Sequence, residues 1–315
     1  MITFSIIKDI EECRKLWEEN SAAETLFDKW EYRCCLFDEK HYEPYFIVGR
    51  EGMEIEGILP LWRVINENWF EFFGGYFTER NKFFVKDKAN IPLFLNEIPE
   101  RTCLSYIEGT EAKHAEMKQS DSRYFIELDK CGHSLEGYLA AFSSKHRKNL
   151  RRDMEQLHRQ GYQIHHNRLS DYERMAELNK LRFGDESFFA EKLFIDGFRR
   201  LVNTAKERGE LHMLSIEANG IVEAVEVAVL YNSNYNVLMG GNNIAASNIG
   251  KLMTLEHIKN AIKQGANQVD FLSTDTGWKK LWKMSEEEVY EFTNMTETQI
   301  IELLTVAQDA SSQEQ

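Results

Sequence analysis

The sequence predicts a mixed α/β chain built from two related halves, and three observations carry that expectation. Residues 45–62 read as strand, Glu51-Gly52 turn, strand, and residues 211–230 read as strand, Asn219-Gly220 turn, strand. Each hairpin is followed by an aromatic strand that closes on a glycine pair, at Gly74-Gly75 and at Gly240-Gly241. A single offset of 166 residues superimposes the two stretches without a gap, matching Glu51 to Glu217, Ile55 to Ile221 and Asn68 to Asn234. Identity is sparse, so the ungapped order of elements carries the inference.

The remaining elements follow in order. After the first glycine pair come a short helix near 91–98 and a strand at 103–107. A long helical stretch spans 135–160, with Leu139, Phe142, Leu150, Met154 and Leu157 on a helical period and Gly161 as its stop. Residues 162–166 suit a strand, and 171–183 and 191–209 read as amphipathic helices. Beyond Gly241 lies a polar loop, then a helix over 249–263 and a buried-type strand over 268–272. From Ser285 the chain reads as an acidic tail, helical at 297–308 and frayed at its end. The expected division is a first domain at 1–125, a second at 126–285 and a tail at 286–315.

Composition bounds the class. A chain of 315 residues holds two ordinary domains, and 43% hydrophobic with 12% aromatic residues excludes extended disorder. No apolar run approaches the ~20 residues that cross a bilayer. The first residues lack an export pattern, and the five cysteines form no C-x-x-C pair, so the cytoplasm is the expected compartment. His165-His166 have no third ligand at metal-like spacing, and no metal is expected. The net charge of −14 repels nucleic acid, except at residues 145–152, where five of eight are Lys or Arg. On a helix Lys145, Lys148 and Arg152 share one face, and Arg147 and Arg151 another.

Two motifs carry a family resemblance. Residues 144–152 (SKHRKNLRR) are similar to the K-x-R-x-N-[IL]-R-[RK] signature that opens the second domain of the CelD/BioF2-like acetyltransferases of the GNAT superfamily and, more distantly, of the FemAB aminoacyl transferases. Residues 270–282 (DFLSTDTGWKKLW) resemble their closing motif, and the first half resembles theirs at Ile58–Leu61 and Phe73–Gly75. The resemblance covers about residues 1–285 and implies an α/β (α+β) fold of tandem GNAT-like halves, each a mixed sheet flanked by helices, the first half serving as a scaffold. It implies acetyl-CoA or another acyl-CoA as co-substrate, although the stretch aligned with the GNAT pyrophosphate loop, residues 245–250, keeps only the last glycine.

The residues expected at the site follow. Gly240, Gly241, Asn248, Ile249, Gly250 and Lys251 border the strand, loop and helix start that would receive the donor's phosphates. Lys145, Arg147, Asn149 and Arg151 are candidates for a phosphate clamp, against the plainer reading of a solvated helix face. Lys279 is a candidate cation beside a developing oxyanion or the donor phosphates. Asp270 is read as a buried network carboxylate or a general base, and Asp275 is the freer carboxylate. Glu226, mid-strand, faces water or lines the cleft, as does Glu223; Tyr235 is either a proton donor to a leaving thiolate or core. The leading expectation is an N-acyltransferase that acts on an amino group of a small molecule or sugar-nucleotide. The alternatives are an aminoacyl-tRNA-dependent transferase, disfavoured by overall acidity, and a catalytically silent binding module.

Overall fold

The structure, a computed structural model, describes residues 1–274 and 277–302. The chain divides into two compact units, residues 1–122 with 287–315 and residues 123–286.

In the first unit β1 (Thr3–Ile7), α1 (Ile10–Asn20) and the one-turn α2 (Trp30–Arg33) lead into a hairpin of β2 (Tyr42–Glu51) and β3 (Glu54–Val64). Strand β4 (Trp69–Phe72) continues the antiparallel order β1-β2-β3-β4, and β5 (Phe84–Val85) pairs with β3. Then come α3 (Ile91–Leu95), β6 (Cys103–Glu108), α4 (Gly109–Ala112) and β7 (Lys118–Glu127), within which the chain enters the second unit. The hairpin turn uses Gly52 at φ +62°, a conformation glycine adopts without a Cβ penalty.

The second unit opens with α5 (Leu135–Ala140) and α6 (Ser144–Arg159). These replace the single helix expected over 135–160. Ser143 leaves helical geometry and its hydroxyl accepts the His146 N–H, which starts a new helix although the apolar period runs on through Phe142. Next are β8 (Gln163–His166), α7 (Tyr172–Phe183), α8 (Lys192–Glu207), β9 (Leu211–Ala218), β10 (Ile221–Tyr231), β11 (Asn234–Asn242), α9 (Ile249–Lys263) and β12 (Gln268–Ser273). Asn219 and Gly220, both at positive φ, form the two-residue β9–β10 turn that the Asn-Gly pair predicts. The strand order is β7-β12-β11-β10-β9-β8, with β11 and β12 parallel and the other pairs antiparallel. Helix α7 packs on β10 and β11. Helix α9 packs on β9 through β12, its Leu255, Ile258 and Ala261 joining Tyr124, Tyr235 and Val269 in the core.

The chain returns to the first unit through β13 (Ser285–Thr293), whose Val289, Tyr290, Phe292 and Thr293 pair with β6. This corrects the expected acidic tail from Ser285: the run Glu286–Glu288 hides a strand with one buried residue, Val289. Of the helix expected at 297–308, only residues up to 302 are described. The 166-residue offset holds in space: β2, β3, β4 and β6 start within three residues of the positions it assigns to β9, β10, β11 and β12.

Candidate active site

Strands β11 and β12 pair only over Asn234–Asn236 with Gln268–Asp270. Beyond Asn236 strand β11 keeps β10 on one side, and its other edge has no strand partner among the described residues. Residues 237–240 are accordingly half-buried, while Tyr235 and Asn236 are buried. The register with β10 slips by one residue there: Val227 faces Met239 and Ala228 faces Val237, which leaves Leu238 as a bulge. A bulge bends its strand and re-aims the groups around it. An opened parallel pair with a bulge on one wall is a crevice lined by backbone N–H and C=O groups.

The loop after β11 then runs straight to the N-terminus of α9. Asn248, at φ +64°, precedes the helix without a side-chain cap; the Ile249 N–H donates to the Ala246 carbonyl at 3.3 Å, and the first-turn N–H groups of Gly250 and Lys251 receive no cap from Asn248. Gly250 is exposed, and a Cβ there would meet nothing within 4 Å. Packing therefore does not demand this glycine. The first unit treats the same place differently. Its loop after β4 folds back so that Asn81 bridges to Ile107 of β6, with the Asn81 amide on the Ser105 carbonyl at 2.7 Å. The buried Arg33 pins that loop through the Phe73 and Arg80 carbonyls and the Thr78 hydroxyl. In the first unit that place is filled by the unit's own chain, and in the second no described residue pairs with the β12-side edge of β11 beyond Asn236.

The glycine pair at 240–241 has two separate causes. A Cβ on Gly240 would lie 2.4 Å from Cγ of Glu226, its cross-strand partner, so the Glu226 side chain lies across Gly240 toward the open edge of β11. A Cβ on Gly241 would lie 2.2 Å from the Met175 carbonyl oxygen, so α7 rests directly on the strand. Asn179 of α7 donates to the Gly240 carbonyl at 2.6 Å and is itself held by the Ser187 hydroxyl at 2.7 Å.

Helix α6 reaches the start of α9 through one ion pair. Its inward-facing Asp153 accepts from Lys251 at 2.7 Å, and Arg152 lies 3.4 Å from the other carboxylate oxygen. The Lys251 ammonium holds the Asp153 carboxyl below its ordinary value. Lys145, Lys148, Asn149 and Arg151 are exposed on the same helix. Arg147 turns back instead, donating to the Phe142 carbonyl in the link between α5 and α6.

Parallel strands that part beside a helix N-terminus decide the fold. Residues 144–280 match the family model described as an acetyltransferase (GNAT) domain. They form a GNAT-like domain. The chain as a whole has a tandem GNAT-like fold. It is similar to the crystal structure of FemX at 13% identity and a TM-score of 0.59, over 95% of this chain and 99% of that one. It is similar to L-PGS from Bacillus licheniformis at 11% identity and 0.59, over 96% of each chain. A tandem GNAT protein from the clavulanic acid biosynthesis pathway aligns at 11% identity and 0.54, over 92% of this chain and 98% of that one. Among the curated proteins, none matches the chain.

Within the GNAT-like domain a polar network that the sequence reading missed lies under α9. Glu226 Oε2 is 3.1 Å from Nε2 of the fully buried His257, with the ring N–H off the line of an ideal hydrogen bond. His257 Nδ1 is 3.0 Å from the Tyr235 hydroxyl, which accepts from the Asn260 amide at 3.0 Å. The same amide nitrogen is 3.3 Å from Nδ1 of His212. Burial raises the Tyr235 phenol well above its ordinary value, and burial lowers His212. Tyr235 is therefore a buried hydrogen-bonding member and not a group open to a leaving thiolate. The missed signal was the pair His257 and Asn260, three apart on the inward face of an otherwise apolar helix.

Two other expectations change. Lys279 is 4% exposed, and its ammonium donates to the carbonyls of Phe271 (2.7 Å), Leu272 (3.2 Å) and Ser273 (2.5 Å) while lying 5.4 Å from the Tyr124 ring. It clamps the irregular end of β12, where Leu272 and Thr274 have positive φ. Asp270, fully buried, is bound by Arg123 at 2.7 Å and accepts the Leu272 N–H, so of the two readings the structure gives the network carboxylate. Asp275 lies outside the described residues. Glu223 is tied to Asn243 of the loop at 2.7 Å. No transmembrane-length apolar helix and no metal-type cluster occur among the described residues.

The open space at Gly250 gives a test that separates packing from ligand binding. Gly250→Ala is expected to stabilise the domain by about 1 kcal/mol through helix propensity. The same methyl, standing where an anion must approach the first-turn N–H groups, should weaken binding of coenzyme A about 10-fold or more. Calorimetric melting and isothermal titration of one protein pair check both.

Proposed function

We propose that the GNAT-like domain is an N-acyltransferase that moves an acyl group from acyl-CoA to an amino group of a small-molecule or sugar-nucleotide acceptor. The observation that supports this most is the open edge of β11 from Val237 onward, ending at the uncapped start of α9. In this reading the pantetheine amides pair with the free edge of residues 237–240 as an added strand would. The pyrophosphate sits on the N–H groups of Gly250 and Lys251, with Arg152 and the Lys251 side chain close by. The exposed Lys145, Lys148 and Arg151 serve a further phosphate, of donor or acceptor.

The chemistry is a direct transfer. The neutral amine attacks the thioester carbonyl, a C–N bond forms, the C–S bond breaks, and the amine proton passes to a base while the thiolate leaves. Backbone N–H groups at the Leu238 bulge suit the developing oxyanion. Glu226, 27% exposed and leaning toward the open edge, is the carboxylate placed for the proton. Asn179 orders the strand carbonyl at the same place. Asp270 and Lys279 act through the shape of β12.

A thermal-shift titration with acetyl-CoA, longer acyl-CoAs and aminoacyl-tRNA tests the reading. A ligand at 100 times its dissociation constant adds about 2.7 kcal/mol to the folded state, so a saturable rise with a CoA ester is expected. A rise with aminoacyl-tRNA alone favours the second reading, for which the exposed basic face of α6 speaks and the net charge of −14 speaks against. A flat response to every ligand leaves a binding module without transferase chemistry. Glu226→Gln should lower turnover about 100-fold with the melting temperature unchanged.

A further inference from the structure

The hydrogen bonds under α9 run in one direction, and that direction has a consequence. An amide nitrogen carries two hydrogens and accepts nothing. Asn260 Nδ2 lies 3.0 Å from the Tyr235 oxygen and 3.3 Å from His212 Nδ1, so it donates to both. The Tyr235 oxygen, filled on that side, turns its own proton to His257 Nδ1 at 3.0 Å. A neutral imidazole that accepts at Nδ1 carries its proton on Nε2, the atom 3.1 Å from Glu226. The chain ends on a carboxylate, which only accepts.

We propose that Asn260, Tyr235 and His257 form a polarity lock that fixes the ring proton on Nε2, beside the Glu226 carboxylate at 3.1 Å and off the line of an ideal hydrogen bond, and so favours that carboxylate across Gly240, poised to accept the acceptor amine's proton. The proposal rests on Glu226 being the base of the transfer. The network orients and does not conduct. Asn260 donates in both directions, so no proton crosses it, and reversing the chain would set donor against donor in a site closed to water. His257 and Asn260 are positioning residues; Glu226 is the group that meets the substrate.

The test is the tautomer of His257, read by nitrogen-15 NMR on the full-length protein, together with the variant Asn260→Asp. A carboxylate at 260 keeps the volume and accepts from Tyr235, which draws the phenol proton away from His257. The ring then takes its proton at Nδ1 and turns a lone pair on Glu226. The wild type is expected as the Nε2–H tautomer and Asn260→Asp as Nδ1–H. With acetyl-CoA as donor and glucosamine or a free amino acid as the amine probe, kcat should fall about 10-fold or more. The dissociation constant for coenzyme A should stay within about twofold, since the lock does not touch the phosphates. His257→Gln, whose amide accepts from Tyr235 and donates to Glu226, should retain more kcat than His257→Leu. A wild-type His257 that is Nδ1–H or doubly protonated overturns the proposal, and needs no variant to fold. A switched tautomer with unchanged kcat overturns it too. Failure of every CoA ester to bind the wild type would instead remove the transferase reading.

Discussion

Gly241→Ala is expected to destabilise the GNAT-like domain by about 3 kcal/mol, a fall of about 6–12 °C in its melting temperature. The cause is the neighbour. The added Cβ would sit 2.2 Å from the Met175 carbonyl oxygen and 2.7 Å from the Asn179 nitrogen, both backbone atoms of α7. A side chain in that position would rotate away; a helix backbone has to retreat as a body, and the Asn179 bond to the Gly240 carbonyl goes with it. Affinity for coenzyme A should drop as well, because the same strand is the wall of the crevice. Calorimetry of Gly241→Ala beside Gly250→Ala makes the point sharply: two glycines nine residues apart, one substitution costly and the other stabilising. Equal melting temperatures for wild type and Gly241→Ala would mean that α7 does not rest on β11 as described.

Asp270→Ala is expected to cost about 3–5 kcal/mol, because it takes the carboxylate away from the buried Arg123 guanidinium, 2.7 Å from it. Among the described residues, Arg123 would keep the Gln268 side-chain oxygen, at 2.6 Å, and the face of the Phe125 ring, 4.6 Å away. Leu272, at φ +58°, would lose the carboxylate that accepts its N–H. Replacing both partners, as in Arg123→Met with Asp270→Leu, should recover most of the loss, since the desolvation of two charges roughly offsets their attraction in such a site. Urea denaturation of wild type, Arg123→Met, Asp270→Leu and the double variant in a double-mutant cycle checks this, with a coupling of about 3 kcal/mol or more expected. Additive effects would place the ion pair in water.

Much of this arrangement was legible in the residues. The 166-residue offset located three strands of each unit, and the outline beyond the glycine pairs a fourth, because hairpin turns and glycine pairs are local signals that survive when side chains diverge. The basic run at 145–152 marked α6, and Gly250 marked the start of α9. What was hidden depends on contacts between distant segments. Lys279 reads as a functional cation until the carbonyls at 271–273 show why an ammonium is buried there. Strand β13 was masked by its acidic start, since a half-exposed strand carries little apolar pattern. The break at Ser143 was visible as a capping residue and overridden by the apolar period around it. Glu226 was placed on the correct strand, but its meaning came from His257 and Asn260, far along the chain on α9.

The measurement that bears most directly on the crevice is backbone-amide NMR of the protein titrated with coenzyme A. Shifts are expected to concentrate at residues 237–240, along the free edge of β11, and at 248–252, around the start of α9, and to vanish in Gly250→Asp, where a carboxylate would repel the pyrophosphate. Saturable binding whose shifts fall elsewhere, or that survives Gly250→Asp unchanged, would contradict the account.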